Sequence, residues 1–292
     1  MPLWFVSLVF FCIYTNLGES ASSPQISVNA QKVLDLVEWI EIPAGEFLMG
    51  SSSEEIAALD SEANFRGTMV DRHTFEAEIP SHKVFLKAYS ISRHEITNAE
   101  YKLFIENTRR PEPRGNRGED IWQEEKFANP DLPVVGVTWF DAQAFAEWIG
   151  SSLPTEAQWE RAARGKHRTD YPWGDALPRA RQHANFARRY DCPTPVGQFP
   201  TGSTVEGVED MAGNVWEWCL DEYDATFYHK SPVHDPINLW YRDVLHPRVI
   251  RGGAWDSGRI FLRSALRFKF FPLDSSHSIG FRVVRPAARI PN

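Results

Sequence analysis

Carboxylates and a glycine turn share one short run, Asp210 to Asp221, written DMAGNVWEWCLD. Gly213-Asn214 reads as a tight turn, because Gly and Asn accept the positive φ that such turns require. In an extended segment the residues that follow alternate between faces, Val215, Glu217 and Cys219 on one and Trp216, Trp218 and Leu220 on the other. The Glu217 carboxylate then lies between two indoles, where an ionised group needs an Arg, a set of donors or a metal. Asp210 can bring a second carboxylate to the same side, and the turn can aim carbonyls there. Oxygen donors of this kind suit Ca²⁺. A buried Glu217–Arg pair accounts for the same residues equally well.

Arg also recurs at alternate positions in two later segments with strand character, Arg263–Phe268 and Ile279–Val284. Such residues either pair with buried acids or line a pocket. For Arg282, pairing with an acid such as Glu217 is the simpler reading.

These residues need a sizeable scaffold. The 292-residue chain, 42% hydrophobic, can bury one large core, and its 11 Trp and 20 Pro predict a loop-rich fold with large rings filling space. A net charge of −8 and a pI near 5.6 argue against a nucleic-acid partner. Residues 1–23 read as a secretory signal peptide, with an apolar run from Leu3 to Tyr14 too short to span a bilayer. The expectation is an exported protein, periplasmic or secreted, with no stable membrane span after signal cleavage. Two cysteines then remain, Cys192 and Cys219, and an even count in an exported chain invites a disulfide between them.

Residues 24–36 read as a loose lead-in. Trp39–Gly50 alternates about a Pro-Ala-Gly-Glu turn and predicts a β-hairpin. Ser51–Glu76 reads as an exposed excursion, and Val84–Ile96 as strand with a phase shift near Tyr89 that suggests a bulge. Thr97 caps a helix with Tyr101, Phe104 and Ile105 inward, after which Arg109–Asn129 reads as a surface loop. Thr138 caps a second helix, and Thr155-x-x-Gln158 is a capping box opening a third that ends at Gly165. Both of these read as scaffold without chemistry. Asp175–Thr204 shows no helix or strand and needs something to hold it, a cation or a disulfide, which Asn185, Asp191 and Cys192 could supply. Arg248–Trp255 predicts a strand running into a Gly-Gly turn. No phosphate loop, nucleophile elbow, Cys-x-x-Cys pair or metal-ligand His spacing is present.

Eight motifs, IPAGEFLMGS, PVVGVTWFDAQAFAEW, LPTEAQWERAARG, YPWG, DMAGNVWEW, RGGAW, RSALRF and GFRVVR, stand in the order seen in the formylglycine-generating enzyme (sulfatase-modifying factor) family. The chain resembles that family over about Val37 to Pro286, so a domain is expected at 37–288 with a tail at 289–292. The resemblance implies an α+β fold, irregular, related to C-type lectins and low in regular secondary structure. It also implies two structural Ca²⁺ sites, one on Asp210, Gly213, Val215 and Glu217, the other on Asn185 and Phe186, with Asp191 a weaker match. Formylglycine generators of the family oxidise a sulfatase cysteine with O₂ and a copper ion held by two cysteines. Here the matching positions are Ser257 and Leu262, with Ala254 where the family has Ser. Cu(I) needs soft thiolates, so copper is not expected and no catalytic residue is assigned.

Three functions remain open. The first is an accessory or binding module for an exported protein, a peptide or a small-molecule ligand, with Trp216, Trp255, Asp256, Ser257, Arg259 and Arg267 as the candidate pocket. The second is an oxidase or maturation factor, acting on an exported protein or siderophore through a non-standard site. The third is a true formylglycine generator that recruits Cys192 or Cys219.

Overall fold

The computed structural model describes residues 26–61, 73–179, 181–240 and 245–287. The expected signal peptide and the tail at 289–292 lie outside the described residues. Short strands form three sheets, and helices and long irregular connections fill the space between them.

The helices form where local capping favours them. In α4 (Asn98–Thr108) the Thr97 hydroxyl accepts from the Glu100 N–H, and the Glu100 carboxylate accepts from the Thr97 N–H at 2.7 Å. The same reciprocal box opens α6 (Trp139–Trp148) through Thr138 and Asp141, and α7 (Glu156–Arg164) through Thr155 and Gln158. Each box satisfies donors that a helix N-terminus leaves unpaired. The inward residues of α4 and α6 build one core, in which Tyr101 stacks on Phe145 and both rings meet Phe281.

Three segments are more ordered than their sequence suggests. The expected lead-in contains α1 (Val28–Leu36), capped by Ser27, with Ala30 and Val33 buried. The expected excursion contains α2 (Ser53–Ser61) and α3 (His73–Glu76), whose Ile56 and Phe75 join the core. The expected surface loop Arg109–Asn129 contains a 3-10 turn at Ile121–Gln123 and the short α5 (Glu125–Ala128), with Ile121 and Phe127 buried. In all three, polar residues dilute the apolar period that would announce a helix.

Strand pairing departs from the local reading. β1 (Trp39–Ile42) and β2 (Gly45–Met49) do not form a hairpin with each other. β1 pairs with β4 (Tyr89–Ser92), and β2 pairs with β3 (His82–Leu86). The phase shift read as a bulge is the step between these two sheets, at Lys87-Ala88. β9 (Val284–Pro286) adds to the far edge of β4.

The third sheet has the order β7–β6–β5–β8: Phe268–Phe270, Arg248–Arg251, Trp216–Glu222 and Ile279–Gly280. Thus Arg263–Arg267 is turn, not strand, and the predicted Ile279–Val284 strand is split between β8 and the start of β9. Central strand β5 alternates as expected but is covered on both sides. Trp216 and Trp218 enter the helical core, while Cys219 enters a second core under α7 with Trp159, Val249 and Met211.

α7 does more than scaffold. Glu156, Glu160 and Arg164, spaced four apart, share a buried face. Glu156 binds Arg267 through two bonds of 2.7 and 2.8 Å and also accepts from Arg251 at 3.2 Å. Glu160 accepts from Arg251 and, at 3.1 Å, from Arg164. The Arg267 guanidinium lies 4.0 Å from the Tyr228 ring centroid. These charges are fully desolvated, so each depends on its partners.

Asp221 adjoins this lattice, accepting from the Glu156 and Asn238 N–H groups at 2.8 Å each. Burial first, then the neighbouring Glu156 charge, pushes its pKa up to about 7. The unfolded carboxyl titrates near ~4. Between these values the folded protein holds the extra proton, so stability falls as pH rises through the window and gains as it drops. Thermal melts at pH 8 and pH 5 are therefore expected to show the wild type gaining stability towards pH 5 relative to Asp221→Asn. Parallel curves for the two proteins would contradict this.

Candidate functional site

Three irregular segments meet at the N-terminal end of β5. The turn before the strand receives a backbone bond from Trp255 N–H to Asn214 O, 2.8 Å, and gives one from Asn214 N–H to Asn185 O, 2.8 Å. The loop carrying Asn185 continues to Ala187 and Arg188, whose N–H groups bond Ser257 O and Trp255 O. Gly213 is required at this crossing. Its φ is +81°, and a Cβ there would lie 2.4 Å from Asn185 O. The 175–204 stretch, which has no strand or α-helix among its described residues, is thus held largely by its neighbours' backbone.

The carboxylates lie just beneath this crossing. Glu217 is paired with Arg282 through two bonds, 2.6 and 2.8 Å, and also accepts from the Trp159 indole at 2.7 Å. The arginine partner allowed by the sequence is therefore present. Asp210 accepts from the Gly197 N–H at 2.6 Å, and burial pushes its pKa up to about 6. Glu95, unremarked in the sequence, is buried beside them. It accepts from Asn214 Nδ2 at 3.2 Å, and burial with the Asp210 and Glu217 charges pushes its pKa well up. Three carboxylates thus share a dry region with one arginine, a shortage of positive charge that suits a cation.

Asn185 is fully buried. Its amide N–H donates to Cys192 O at 2.9 Å while its Oδ1 has no partner, an orphaned acceptor of the kind a hard cation takes. Phe186 packs with Tyr171, Ala212 and Leu262. Asp191, at the surface, lies across the loop on the wall of a cavity. Among the described residues no three His, Cys, Asp or Glu side chains stand together at metal-binding spacing. A cation here would depend on carbonyl and amide oxygens as well as carboxylates.

Above the crossing lies a cavity of about 590 Å³. Trp255, Phe127 and His277 line it; the His277 ring centroid is 5.4 Å from that of Trp255 and 6.1 Å from that of Phe127. The Arg188 guanidinium sits 5.6 Å from the Trp255 ring. Arg117 and Lys126 oppose Glu119, Glu124 and Asp191 around the wall, and Ser275 and Ser276 add hydroxyls. An aromatic floor with mixed charge can hold a polar ligand that has a flat or apolar part.

The structure divides the sequence-based pocket. Trp255 lines the cavity, and Asp256 stands 3.8 Å from His277. Ser257 instead stabilises the turn, its Oγ accepting from Ala254 N–H at 3.0 Å. Trp216 is a core residue between Phe261 and Phe268. Arg259 lies on a short 3-10 turn outside the cavity lining. Arg267 belongs to the buried lattice under α7, so its proposed pocket role is a correction: alternate-position arginines can face either way, and this one faces acids. Phe127, Arg188 and His277 were missed, because nothing local marks residues brought together from three distant segments.

The disulfide expectation is also corrected. Both cysteines are free: Cys192 Sγ donates to Tyr190 O at 3.4 Å, while Cys219 is sealed in the core under α7. Burial raises both thiol pKa values. Unfolded in denaturant without reductant, the protein is expected to take up an alkylating label at both positions; protection of the pair until reductant is added would contradict the structure.

Residues 24–287 match the sulfatase-modifying factor enzyme 1-like domain. The formylglycine-generating enzyme of Streptomyces coelicolor is 30% identical over 85% of this chain and 89% of its own length. A hercynine oxygenase of Mycolicibacterium smegmatis is 29% identical over 83% of this chain. A Chlamydia trachomatis protein named serine/threonine-protein kinase Pkn1 is 33% identical over 86% of it. The chain spans 60% of the length of the oxygenase and 38% of that of the Chlamydia protein. Among solved structures, PvdO from Pseudomonas aeruginosa superposes with a TM-score of 0.70 at 27% identity, covering 86% of this chain and 94% of its own. CarF shares the fold, with a TM-score of 0.58. With eight motifs in order, a matching domain across nearly all the described residues and this mixed, irregular architecture, the chain belongs to the sulfatase-modifying factor (formylglycine-generating enzyme) family.

Proposed function

We propose that this protein is an exported, calcium-stabilised accessory or ligand-binding member of its family, without copper oxidase chemistry. The cavity at Trp255 takes the ligand, a peptide or small molecule of an exported system. The observation that carries this reading is the use made of the two positions where the resemblance places copper cysteines. Ser257 secures a turn, and Leu262 is fully buried against Tyr171, Phe186 and Ala212. Cys192 and Cys219 offer no substitute pair, since they pack in separate clusters. Export is supported by the apolar run at residues 3–14; no helix among the described residues is long and apolar enough to cross a membrane.

Asp210, Glu217 and the carbonyls of Gly213 and Val215 would hold one Ca²⁺, and Asn185 with the Phe186 carbonyl the other. Bound calcium would neutralise the excess carboxylate charge and fix the crossing of the three loops. The relatives named for oxygenation favour the second reading, an oxidase or maturation factor with a non-standard site. Formylglycine generation ranks below both.

Purified protein is expected to contain calcium and little copper, and to lose about 5–10 °C of melting temperature when a chelator strips a site that had been saturated about a hundredfold. Incubated with a cysteine-containing sulfatase peptide and O₂, it is expected to yield no aldehyde by mass spectrometry. One copper per chain together with aldehyde product would overturn the proposal; an unchanged melt after chelation would remove its calcium component.

A further inference from the structure

Six charged side chains line the cavity at Trp255, and most of them are already engaged. Lys126 pairs with Glu124 at 3.1 Å. The Glu119 carboxylate accepts from the Arg117 N–H at 2.9 Å, and backbone hydrogen bonds, with the nearby Arg117 charge, hold its pKa below the usual range. Arg188 and Asp191 remain. Both are exposed, and neither makes an ion pair among the described residues.

Arg188 is the anchored one of the two. Its backbone has φ +56°, as has that of Ala187 before it, in the left-handed region where a side chain other than Gly, Asn or Asp is disfavoured. Two backbone bonds impose this conformation, Ala187 N–H to Ser257 O at 2.9 Å and Arg188 N–H to Trp255 O at 2.7 Å. They set the Arg188 guanidinium 5.6 Å from the Trp255 ring. A guanidinium against an aromatic ring still offers the donors along its edge, and that edge matches the two oxygens of a carboxylate.

The rest of the opening is suited to an apolar group. Trp255 and Phe127 are 4% and 3% exposed, so they back the site, and the rings open to a ligand are the half-exposed His277 and the half-buried Phe270. The Trp255 indole fixes the His277 backbone by donating to its carbonyl at 3.2 Å. Between the lining residues Phe270 and Ser275, a turn closed by Asp274 N–H to Phe271 O at 3.0 Å leaves Phe271 and Leu273 exposed at the rim.

We propose that the cavity at Trp255 recognises a single carboxylate borne on an aromatic group, with Arg188 taking the carboxylate and His277 the ring. This rests on the cavity being the ligand site proposed above. Asp191, three residues from Arg188 on the same wall, disfavours a second anionic group. Two sources share this chemistry, a free aromatic acid and a polypeptide C-terminus ending in an aromatic residue.

The test uses the full protein and three probes of matched size, 3-phenylpropionate, 3-phenylpropanamide and 3-phenylpropylamine. Ligand-observed NMR is expected to show the acid binding about tenfold more tightly than the amide, the worth of a hydrogen bond to a charged group. The amine is expected to bind no better than the amide. Arg188→Asn accepts the left-handed backbone more readily than arginine does. It is expected to erase the preference for the acid while leaving amide binding and the melting temperature undiminished. Arg188→Lys, which keeps the charge and loses the fork, should retain part of the preference. Acetyl-Ala-Ala-Phe with a free C-terminus, compared with its C-terminal amide, separates the sources. A tenfold acid preference is expected there too, and the tighter of the two acids names the source. Equal affinity for acid and amide, tighter binding of the amine, binding of no probe, or an acid preference that survives in Arg188→Asn would each overturn the proposal. Equal binding of acid and amide would leave the cavity a ligand site with another chemistry, whereas copper with aldehyde product would remove the underlying reading itself.

Discussion

Arg282→Ala is expected to lower the free energy of unfolding by about 3–5 kcal/mol, the range for stripping one partner from a buried ion pair. The guanidinium has no surface exposure, and it serves five acceptor atoms. Two are the Glu217 oxygens, and the others are the carbonyls of Ser92, Arg93 and Glu209. Its removal would leave the Glu217 carboxylate without the guanidinium that pairs both of its oxygens, beside the buried Asp210 and Glu95. Urea denaturation at constant m-value measures the effect. Glu217→Gln in the Arg282→Ala background should recover part of the loss, because the stranded charge goes with it. A loss below about 1 kcal/mol would mean that Glu217 finds another cation or a proton, and the ion pair would not be what holds β5 to the last segment.

Glu156→Ala should be comparably damaging, again about 3–5 kcal/mol. This one carboxylate pairs Arg267 through two bonds and reaches Arg251 as well, all three side chains being almost wholly buried. Both arginines hold their protons at any working pH, since their acid partners raise pKa values that burial alone would lower. They cannot escape by neutralising. Glu156→Gln keeps the shape and one acceptor, so it should cost less than the alanine variant. The order matters: if glutamine costs as much as alanine, charge dominates, and if both are mild, the lattice under α7 tolerates its own disruption. Glu160 already shares Arg251, so some compensation is built in, and an effect near the lower end of the range is the better expectation.

The parts of this fold that could be read from sequence are those whose causes are local. Three capping boxes involve residues three apart, and all three helices begin where Thr97, Thr138 and Thr155 place them. The two faces of β5 followed from alternation, and pairing with an acid such as Glu217 was the simpler reading of Arg282, while Glu217 itself was left open between an arginine and a metal. Pairing was not local. Ile42 and Gly45 are separated by a two-residue corner that would suit a hairpin, yet they enter different sheets because their partners, β4 and β3, lie about forty residues on. The acids of α7 were passed over although their four-residue spacing was visible, since a surface helix shows the same spacing. Only the arginines from β6 and the following turn, distant in sequence, make that face an interior. The candidate site behaved likewise: Trp255 could be singled out because it follows a Gly-Gly turn, while Phe127, on a single helical turn, and His277, in a loop, carry no signal of where they meet.

The placement of β9 has a consequence for biosynthesis. Val284–Pro286 closes the sheet begun at Trp39, and Arg282 lies two residues before it, so segments far apart in the sequence share one sheet. A ribosome-bound intermediate ending near residue 275 would hold β1 and β4 with an open edge and Glu217 without its guanidinium. Such an unsealed edge is a template for pairing with other chains. Nascent protein should accordingly depend on holdase chaperones until residues 282–286 clear the exit tunnel, and stop codons just upstream of Arg282 should yield aggregates, not shortened but functional protein.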